Sequence, residues 1–102
     1  MEKIVFISDL HIKDMRDPKA QILLRFLISL QDQSADTTLF LVGDIFDLWL
    51  GAHSYFVKKF RPIIDQIKKF LASGGKIYYF EGNHDLHLTE FYEWGLGCQV
   101  YK

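Results

Sequence analysis

The stretch Ile4-Val5-Phe6-Ile7-Ser8-Asp9-Leu10-His11 decides how this chain folds. Its first four residues are apolar, and they are β-branched or aromatic, which predicts a buried strand. Its last three bring a carboxylate and an imidazole to the point where that strand ends. Because side chains alternate along extended backbone, Asp9 and His11 can point the same way. The stretch therefore predicts a strand that delivers two candidate metal ligands to one edge of a sheet.

The same arrangement of an apolar run followed by a polar block occurs twice more. Leu39-Phe40-Leu41-Val42 precedes Gly43-Asp44-Ile45-Phe46-Asp47, and Ile77-Tyr78-Tyr79-Phe80 precedes Gly82-Asn83-His84-Asp85. The carboxyl ends of parallel strands meet at one edge of an α/β sheet. The three polar blocks are therefore expected to form one site, although each block taken alone is more typical of a plain turn or polar loop.

Helical periodicity fills the first gap between the predicted strands. Asp17 and Pro18 supply an N-cap and a first helical residue for a helix that ends near Gln31. The polar residues from there to Thr37 predict a loop. A last short strand is expected at residues 99–101.

A second helix is predicted from about residue 55 to residue 72, with Ser54 as its cap. Pro62 lies inside this pattern and is expected to kink the helix or divide it in two. Gly74-Gly75 then ends it. A further one or two helical turns are predicted at residues 89–94.

Unalternating apolar strands separated by helices predict an α/β fold. The expected architecture is a layered sheet of mainly parallel strands with helices on both faces. The chain has 102 residues, of which 49% are hydrophobic and 25% charged. Residues 1–102 are therefore expected to belong to a single domain.

Charge and cysteine content exclude several classes of function. A net charge of −1 gives no basic footprint for nucleic acid. The single cysteine, Cys98, cannot form an internal disulfide, which fits a reducing compartment. No apolar run approaches the roughly 20 residues that span a bilayer. A cytoplasmic protein, with peripheral contact to the inner membrane left open, is expected.

The ligand-competent side chains of the three blocks suit divalent cations. Asp9 and His11 offer an oxygen and a nitrogen, and Asn83 offers a neutral carbonyl oxygen. Asp44 can bridge two cations with its two carboxylate oxygens. This donor set fits Mn²⁺, Fe²⁺ or Zn²⁺. His84 can stabilise or protonate a phosphoryl group while Asp85 orients its ring.

These blocks resemble the calcineurin-like metallophosphoesterase family, whose hallmark is the series Asp-x-His, Gly-Asp-x-x-Asp and Gly-Asn-His-Asp on successive strand ends. The series is intact here over roughly residues 3–88. The resemblance implies the N-terminal half of an αββα sandwich. It also implies two metals, held by Asp9, His11, Asp44 and Asn83, with a hydroxide between them that attacks phosphorus in line.

Within that family the first two blocks are most similar to the UDP-2,3-diacylglucosamine pyrophosphatase branch. The resemblance implies Mn²⁺ and a nucleotide-lipid pyrophosphate substrate of lipid A synthesis. His84, in contrast, is the residue that general phosphoesterases of the family carry at this position. Other phosphorylated small molecules therefore stay open as substrates.

The family completes its site with histidines further along the chain than Lys102. The resemblance therefore implies that the 102-residue chain alone is inactive, or that a partner chain supplies the missing half. The alternatives are a non-catalytic remnant that binds one metal weakly, and an aspartyl-phosphate enzyme. The latter fits poorly, because it needs a second Asp where His11 stands.

Four further residues are candidates for substrate contact. Lys13 and Arg16 follow the first block, and Trp49 and His53 follow the second. A solvated loop for the first pair, and core packing or helix capping for the second, explain these residues equally well.

Overall fold

A computed structural model of the chain describes residues 2–46, 49–50, 54–81, 85–86 and 97–101, with backbone alone at 49–50, 54 and 85–86. The elements in chain order are β1 (Lys3–Ser8), α1 (Pro18–Leu30), a 3₁₀-helix (Gln31–Asp36), β2 (Thr37–Val42), β3 (Trp49–Leu50), α2 (Ser54–Lys59), α3 (Arg61–Ala72), β4 (Lys76–Phe80), β5 (Asp85–Leu86) and β6 (Gln99–Tyr101). In these ranges no helix combines the length and hydrophobicity that crossing a bilayer requires. The helical turns predicted at 89–94 lie outside the described residues.

The main sheet has the strand order β1-β2-β4-β6, and every pair of neighbours in it is parallel. Its register aligns Phe6 with Phe40, and Phe40 with Tyr78. The predicted α/β fold with a parallel sheet is confirmed. Two short strands, β3 and β5, follow β2 and β4 in sequence and pair with each other in parallel as a separate sheet.

One face of the main sheet carries the hydrophobic core. Leu39, Leu41, Ile77 and Tyr79 point to this face and are almost fully buried. Helices α1 and α3 pack against the same face and against each other. New strands are added in one direction along this sheet, and right-handed crossovers then place successive helices on one side. The described helices therefore provide the predicted cover for one face only.

The other face of the sheet is aromatic and partly exposed. Ile4 is 60% exposed and Phe6 is 68% exposed, although the sequence predicted a buried strand. The rings of Phe6 and Phe40 stack at 4.8 Å between centroids, and those of Phe80 and Tyr101 at 5.1 Å. We call this surface the aromatic face. An uncovered apolar face is what one half of a two-sheet sandwich would present.

Helix α1 begins as its sequence predicts. The Asp17 carboxylate accepts a hydrogen bond from the amide of Lys19 at 3.0 Å, and Pro18 opens the helix. The predicted loop after α1 is wrong, because residues Gln31–Asp36 form a 3₁₀-helix. Side-chain hydrogen bonds hold it, as the buried Ser34 hydroxyl donates to the carbonyls of Gln31 and Ser73, each at 3.1 Å.

The predicted second helix is divided at Phe60, two residues before Pro62, as that proline led us to expect. Its second part, α3, ends in paired bonds, with the Gly75 amide donating to the Phe70 carbonyl and the Gly74 amide to Leu71. A Cβ on Gly75 would lie 2.3 Å from the Phe70 ring. This position therefore has no room for a side chain.

Candidate metal centre

The loops that follow β1 and β2 bring three predicted ligands together. Asp9 is exposed, while His11 and Asp44 are partly buried. One donor atom from each residue lies within 4.8 Å of the other two. Asp44, which follows His11 by 33 positions, thus shares one small volume with Asp9 and His11 at the carboxyl edge of the sheet, where the parallel topology predicts it.

A ladder of backbone hydrogen bonds fixes these two loops against each other. The amide of Asp9 donates to the Gly43 carbonyl at 3.2 Å, and the amide of His11 donates to the Asp44 carbonyl at 2.9 Å. The amide of Ile12 donates to the Ile45 carbonyl at 3.0 Å. Backbone contacts therefore hold the loops side by side without relying on the ligand side chains. We call these three bonds the loop ladder.

Each of the three ligands lies on backbone with positive φ. The angles are 52° at Asp9, 50° at His11 and 52° at Asp44, and no other non-glycine residue in the described ranges has a positive φ. Asp, Asn and His enter this region more readily than other side chains, yet it still costs about 1–2 kcal/mol per residue. Strain of this kind concentrates at functional sites, where the surrounding structure holds it in place.

This donor set fits a divalent cation. A cation lies about 2.0–2.2 Å from each nitrogen or oxygen ligand, so ligands of one ion lie up to about 4 Å apart. The separation of 4.8 Å or less among these donors needs only a small side-chain adjustment to reach that range. Two carboxylates and an imidazole are the ligand types that Mn²⁺, Fe²⁺ and Zn²⁺ accept.

Backbone contacts also connect the third block to this edge. The Gly43 amide donates to the Phe80 carbonyl at 2.9 Å, just before that block begins. Asp85, the last residue of the block, pairs with Trp49 in the parallel contact between β5 and β3. Asn83 and His84 lie outside the described residues. The described backbone on either side of them contacts Gly43, which begins the second block, and Trp49, which follows it.

The whole length of the described sheet matches a known family. The model of the calcineurin-like phosphoesterases matches residues 2–100. The chain belongs to this family.

Curated relatives agree with this assignment. The chain is 33% identical to a UDP-2,3-diacylglucosamine hydrolase of Stenotrophomonas maltophilia (strain K279a), over 94% of this chain and 38% of the relative. It is 28% identical to the hydrolase of the same name from Haemophilus influenzae (strain PittGG), over 98% of this chain and 41% of the relative. A Porphyromonas gingivalis relative of that name is 26% identical over 97% and 38%, respectively. The chain thus spans about two fifths of the length of these relatives.

Of the four predicted substrate contacts, the structure describes the side chains of Lys13 and Arg16. Arg16 pairs with Asp14 at 3.3 Å, and its side chain is 92% exposed. Lys13 is exposed, and its amide reaches the Asp17 carboxylate only at 3.5 Å. Trp49 lies in β3, where only the backbone is described, and His53 lies outside the described residues.

The carboxylate of Asp14, in the loop that leads to α1, is occupied by local contacts. The backbone amide of Arg16 donates to it at 2.8 Å, and the Arg16 guanidinium donates at 3.3 Å. The hydrogen bond from the Arg16 amide, and after it the hydrogen bond from the guanidinium, lower the pKa of Asp14 below its ordinary value. Both hydrogen bonds come from Arg16 in the same loop, so the Asp14 carboxylate stabilises that loop.

Sequence reasoning missed two buried residues that connect the two ligand loops. Ile12 follows His11 directly and forms an isolated parallel bridge with Phe46, which lies two residues after Asp44. Both side chains are at least 99% buried. The signal was present in the sequence, since a large apolar residue follows His11 directly and another follows Asp44 by two positions. Periodicity alone did not indicate that these residues pair.

Proposed function

We propose that this chain forms the metal-binding part of a phosphoesterase that hydrolyses a phosphate ester or pyrophosphate bond with the help of two divalent cations. One observation carries the proposal: Asp9, His11 and Asp44 offer donor atoms within 4.8 Å of one another on a conformationally strained, bonded pair of loops. Membership of the calcineurin-like phosphoesterase family supports the reaction class.

In this proposal the chain's own residues hold the cations and orient the reacting groups. Asp9 and His11 would hold the first cation, Asp44 would serve both cations, and Asn83 would hold the second. When bound, two divalent cations, for which we propose Mn²⁺, withdraw charge from phosphoryl oxygens and make water a better nucleophile at neutral pH. The partly buried positions of His11 and Asp44 limit competing water at these donors.

The residues of the third block would handle the proton and the phosphoryl charge. We assign His84 the role of electrostatic stabiliser or proton donor to the leaving oxygen, and Asp85 the role of orienting its imidazole. The family motif supports this assignment, since the Gly-Asn-His-Asp block is intact in the sequence.

The favoured substrate is a nucleotide-lipid pyrophosphate similar to UDP-2,3-diacylglucosamine. The relatives from Stenotrophomonas, Haemophilus and Porphyromonas support this choice, because each is a UDP-2,3-diacylglucosamine hydrolase by name. Such a substrate bears acyl chains and belongs at a membrane surface, so the proposal includes a cytoplasmic location with peripheral contact to the inner membrane.

Calorimetric titration of the 102-residue chain with Mn²⁺ tests the site itself. We expect Asp44→Asn to weaken Mn²⁺ binding by roughly 100-fold or more, because a carboxylate that contacts the cation directly is lost. Asp36→Asn is the matched control, because Asp36 is an exposed carboxylate at the end of the 3₁₀-helix. Equal affinities in wild type and Asp44→Asn would exclude the site.

Hydrolysis is best measured in a chimaera in which this chain replaces the matched segment of the Stenotrophomonas relative. With Mn²⁺ we expect turnover of UDP-2,3-diacylglucosamine and of a simple phosphodiester, and Asp44→Asn should lower both rates by roughly two orders of magnitude or more. Turnover of the phosphodiester alone would retain the reaction class and reject the proposed substrate.

The second candidate is a binding module that holds one cation weakly. It is favoured by the fact that the described residues contribute three donors, which suffice for one ion. A titration of the chain that ends at one Mn²⁺, together with a folded but inactive chimaera, would favour it over the enzyme.

A further inference from the structure

Phe46 has a buried ring and lies close in sequence to a candidate ligand. It lies two residues after Asp44, and 1% of it is exposed. Its ring packs on Phe60 with 4.5 Å between centroids and an angle of 46° between the planes. A tilted aromatic pair of this kind contributes about 0.5–1.5 kcal/mol beyond its area burial. Phe60 is itself 1% exposed, so the pair is enclosed by the core.

The backbone of Phe46 also connects to the other ligand loop. It forms the parallel bridge to Ile12, which is fully buried and follows His11. The Ile12 amide closes the loop ladder on the Ile45 carbonyl at 3.0 Å. One residue therefore packs its ring on Phe60 and contacts the Asp9 and His11 loop through its backbone.

Phe60 lies at the break between α2 and α3, outside both helices. Its amide donates to the Phe56 carbonyl in α2 at 3.1 Å, and its carbonyl accepts from Ile64 in α3 at 3.0 Å. The residue is thus fixed on both sides by backbone bonds. The break between the helices, which Pro62 imposes, thus places the Phe60 ring where the Phe46 ring packs on it.

Little free space adjoins the ring of Phe46. The cavity between α1, β2, α3 and the residues Ile45 and Phe46 measures about 10 Å³, and its lining is apolar. This volume is at the lower limit for one water, so a shortened side chain leaves a void that the core fills only by shifting. A shift of Phe46 would move the Asp44 loop with it.

We propose that the Phe46–Phe60 ring pair is the positioning element of the candidate metal centre. It sets the location of the Asp44 loop relative to the Asp9 and His11 loop, and through that the spacing of the three donors. The expected effect of the ring pair on cation binding rests on the proposed function. Its expected effect on the positions of the two loops rests on packing alone.

Hydrogen exchange of individual amides, measured on the metal-free chain, tests the positioning directly. In Phe46→Leu the amides of His11 and Ile12 should exchange about 10-fold faster relative to the amides of β2, because the bonds of the loop ladder loosen locally. Phe60→Leu should have the same local effect. The double variant should add little, since both substitutions remove one contact.

Phe70→Leu is the matched control. Phe70 is fully buried in α3 and packs near Gly75, away from the loop ladder. It should cost similar global stability, measured by urea unfolding, while leaving the relative exchange of the His11 and Ile12 amides unchanged.

Calorimetric titration of the same variants with Mn²⁺ completes the test, under conditions in which each variant is folded. We expect about 10-fold weaker binding for Phe46→Leu and less than about 2-fold for Phe70→Leu. If the wild type binds Mn²⁺ and Phe46→Leu matches it in both affinity and exchange, the positioning role is overturned and the proposed function is untouched. If the wild type does not bind Mn²⁺ while the exchange pattern changes as expected, the function fails and the positioning of the loops stands.

Discussion

Cys98 illustrates how far burial changes a single side chain. The thiol directly precedes β6 and is 1% exposed. Burial raises the pKa of Cys98 to about 12. Because the nucleophile is the thiolate, a raised pKa keeps the group unreactive at neutral pH and restores reactivity only as the pH approaches that value.

We predict that a disulfide reagent reacts with the folded chain at pH 8 at least about 1,000-fold more slowly than with the chain in urea, where the thiol has its usual pKa near 8.5. The absorbance of the released thiolate follows the reaction. The signal reports one group, because the chain has one cysteine. Similar rates with and without urea would mean that Cys98 is open to solvent.

At the scale of residues, the sequence predicted which side chains converge but not how the backbone carries them. Asp9, His11 and Asp44 follow two apolar runs, and the geometry of parallel strands is enough to bring them together. Their positive φ angles depend on the loop ladder, a contact between distant segments. Among the residues of these two loops, only Gly43, whose φ is 67°, indicated a positive φ angle from its residue type.

At the scale of elements, the start of α1 depends on one carboxylate. Asp17 has extended backbone, with φ −61° and ψ 129°, and its side chain accepts the hydrogen bond from the Lys19 amide. That amide is among the first in the helix, which have no partner within the helix.

We predict that Asp17→Ala lowers the free energy of unfolding by about 0.5–2 kcal/mol, because this bond is lost. Asp17→Ser should retain most of the stability, since its hydroxyl can accept the same bond. Urea denaturation followed by circular dichroism measures both. Equal losses in the two variants would show that the carboxylate charge, rather than the cap, stabilises α1.

Elements with local signals were predicted well, and those without were not. Pro62 divided the second helix, and Gly74 ended it, because both residues restrict the backbone at their own positions. The 3₁₀-helix had no such signal. It depends on Ser34, whose hydroxyl reaches the Ser73 carbonyl 39 positions away.

At the scale of the whole molecule, the strand order decides which surface is covered. The order β1-β2-β4-β6 does not reverse in the described sheet, so α1 and α3 share one side. The apolar runs alone could not reveal this, because a strand's pattern does not state which strands flank it. The aromatic face is the result, and Phe6 is its most exposed ring.

We predict that the 102-residue chain binds the dye anilinonaphthalene sulfonate and self-associates, because a contiguous apolar surface of this kind favours both. Phe6→Ser should reduce dye fluorescence and association with little loss of melting temperature, since its side chain is already 68% exposed. Dye titration and sedimentation velocity provide the measurements.

Tyr55→Ser is the control for this surface, because Tyr55 is 57% exposed but lies in α2. It should leave dye binding unchanged. If both variants lower the fluorescence equally, the dye reports general surface aromatics rather than the aromatic face.

The positive φ angles at Asp9, His11 and Asp44 have a consequence for how these positions can vary through evolution. A glutamate would keep the charge of Asp9 or Asp44, but its longer side chain does not bond its own backbone, and it enters this conformation less willingly. Few amino-acid types therefore suit each position even before a metal ion is considered. Glycine satisfies the backbone conformation alone, whereas aspartate, asparagine or histidine satisfies it and also supplies a donor atom. Selection on backbone conformation and selection on metal binding thus favour the same few residue types, and both limit substitution at these positions.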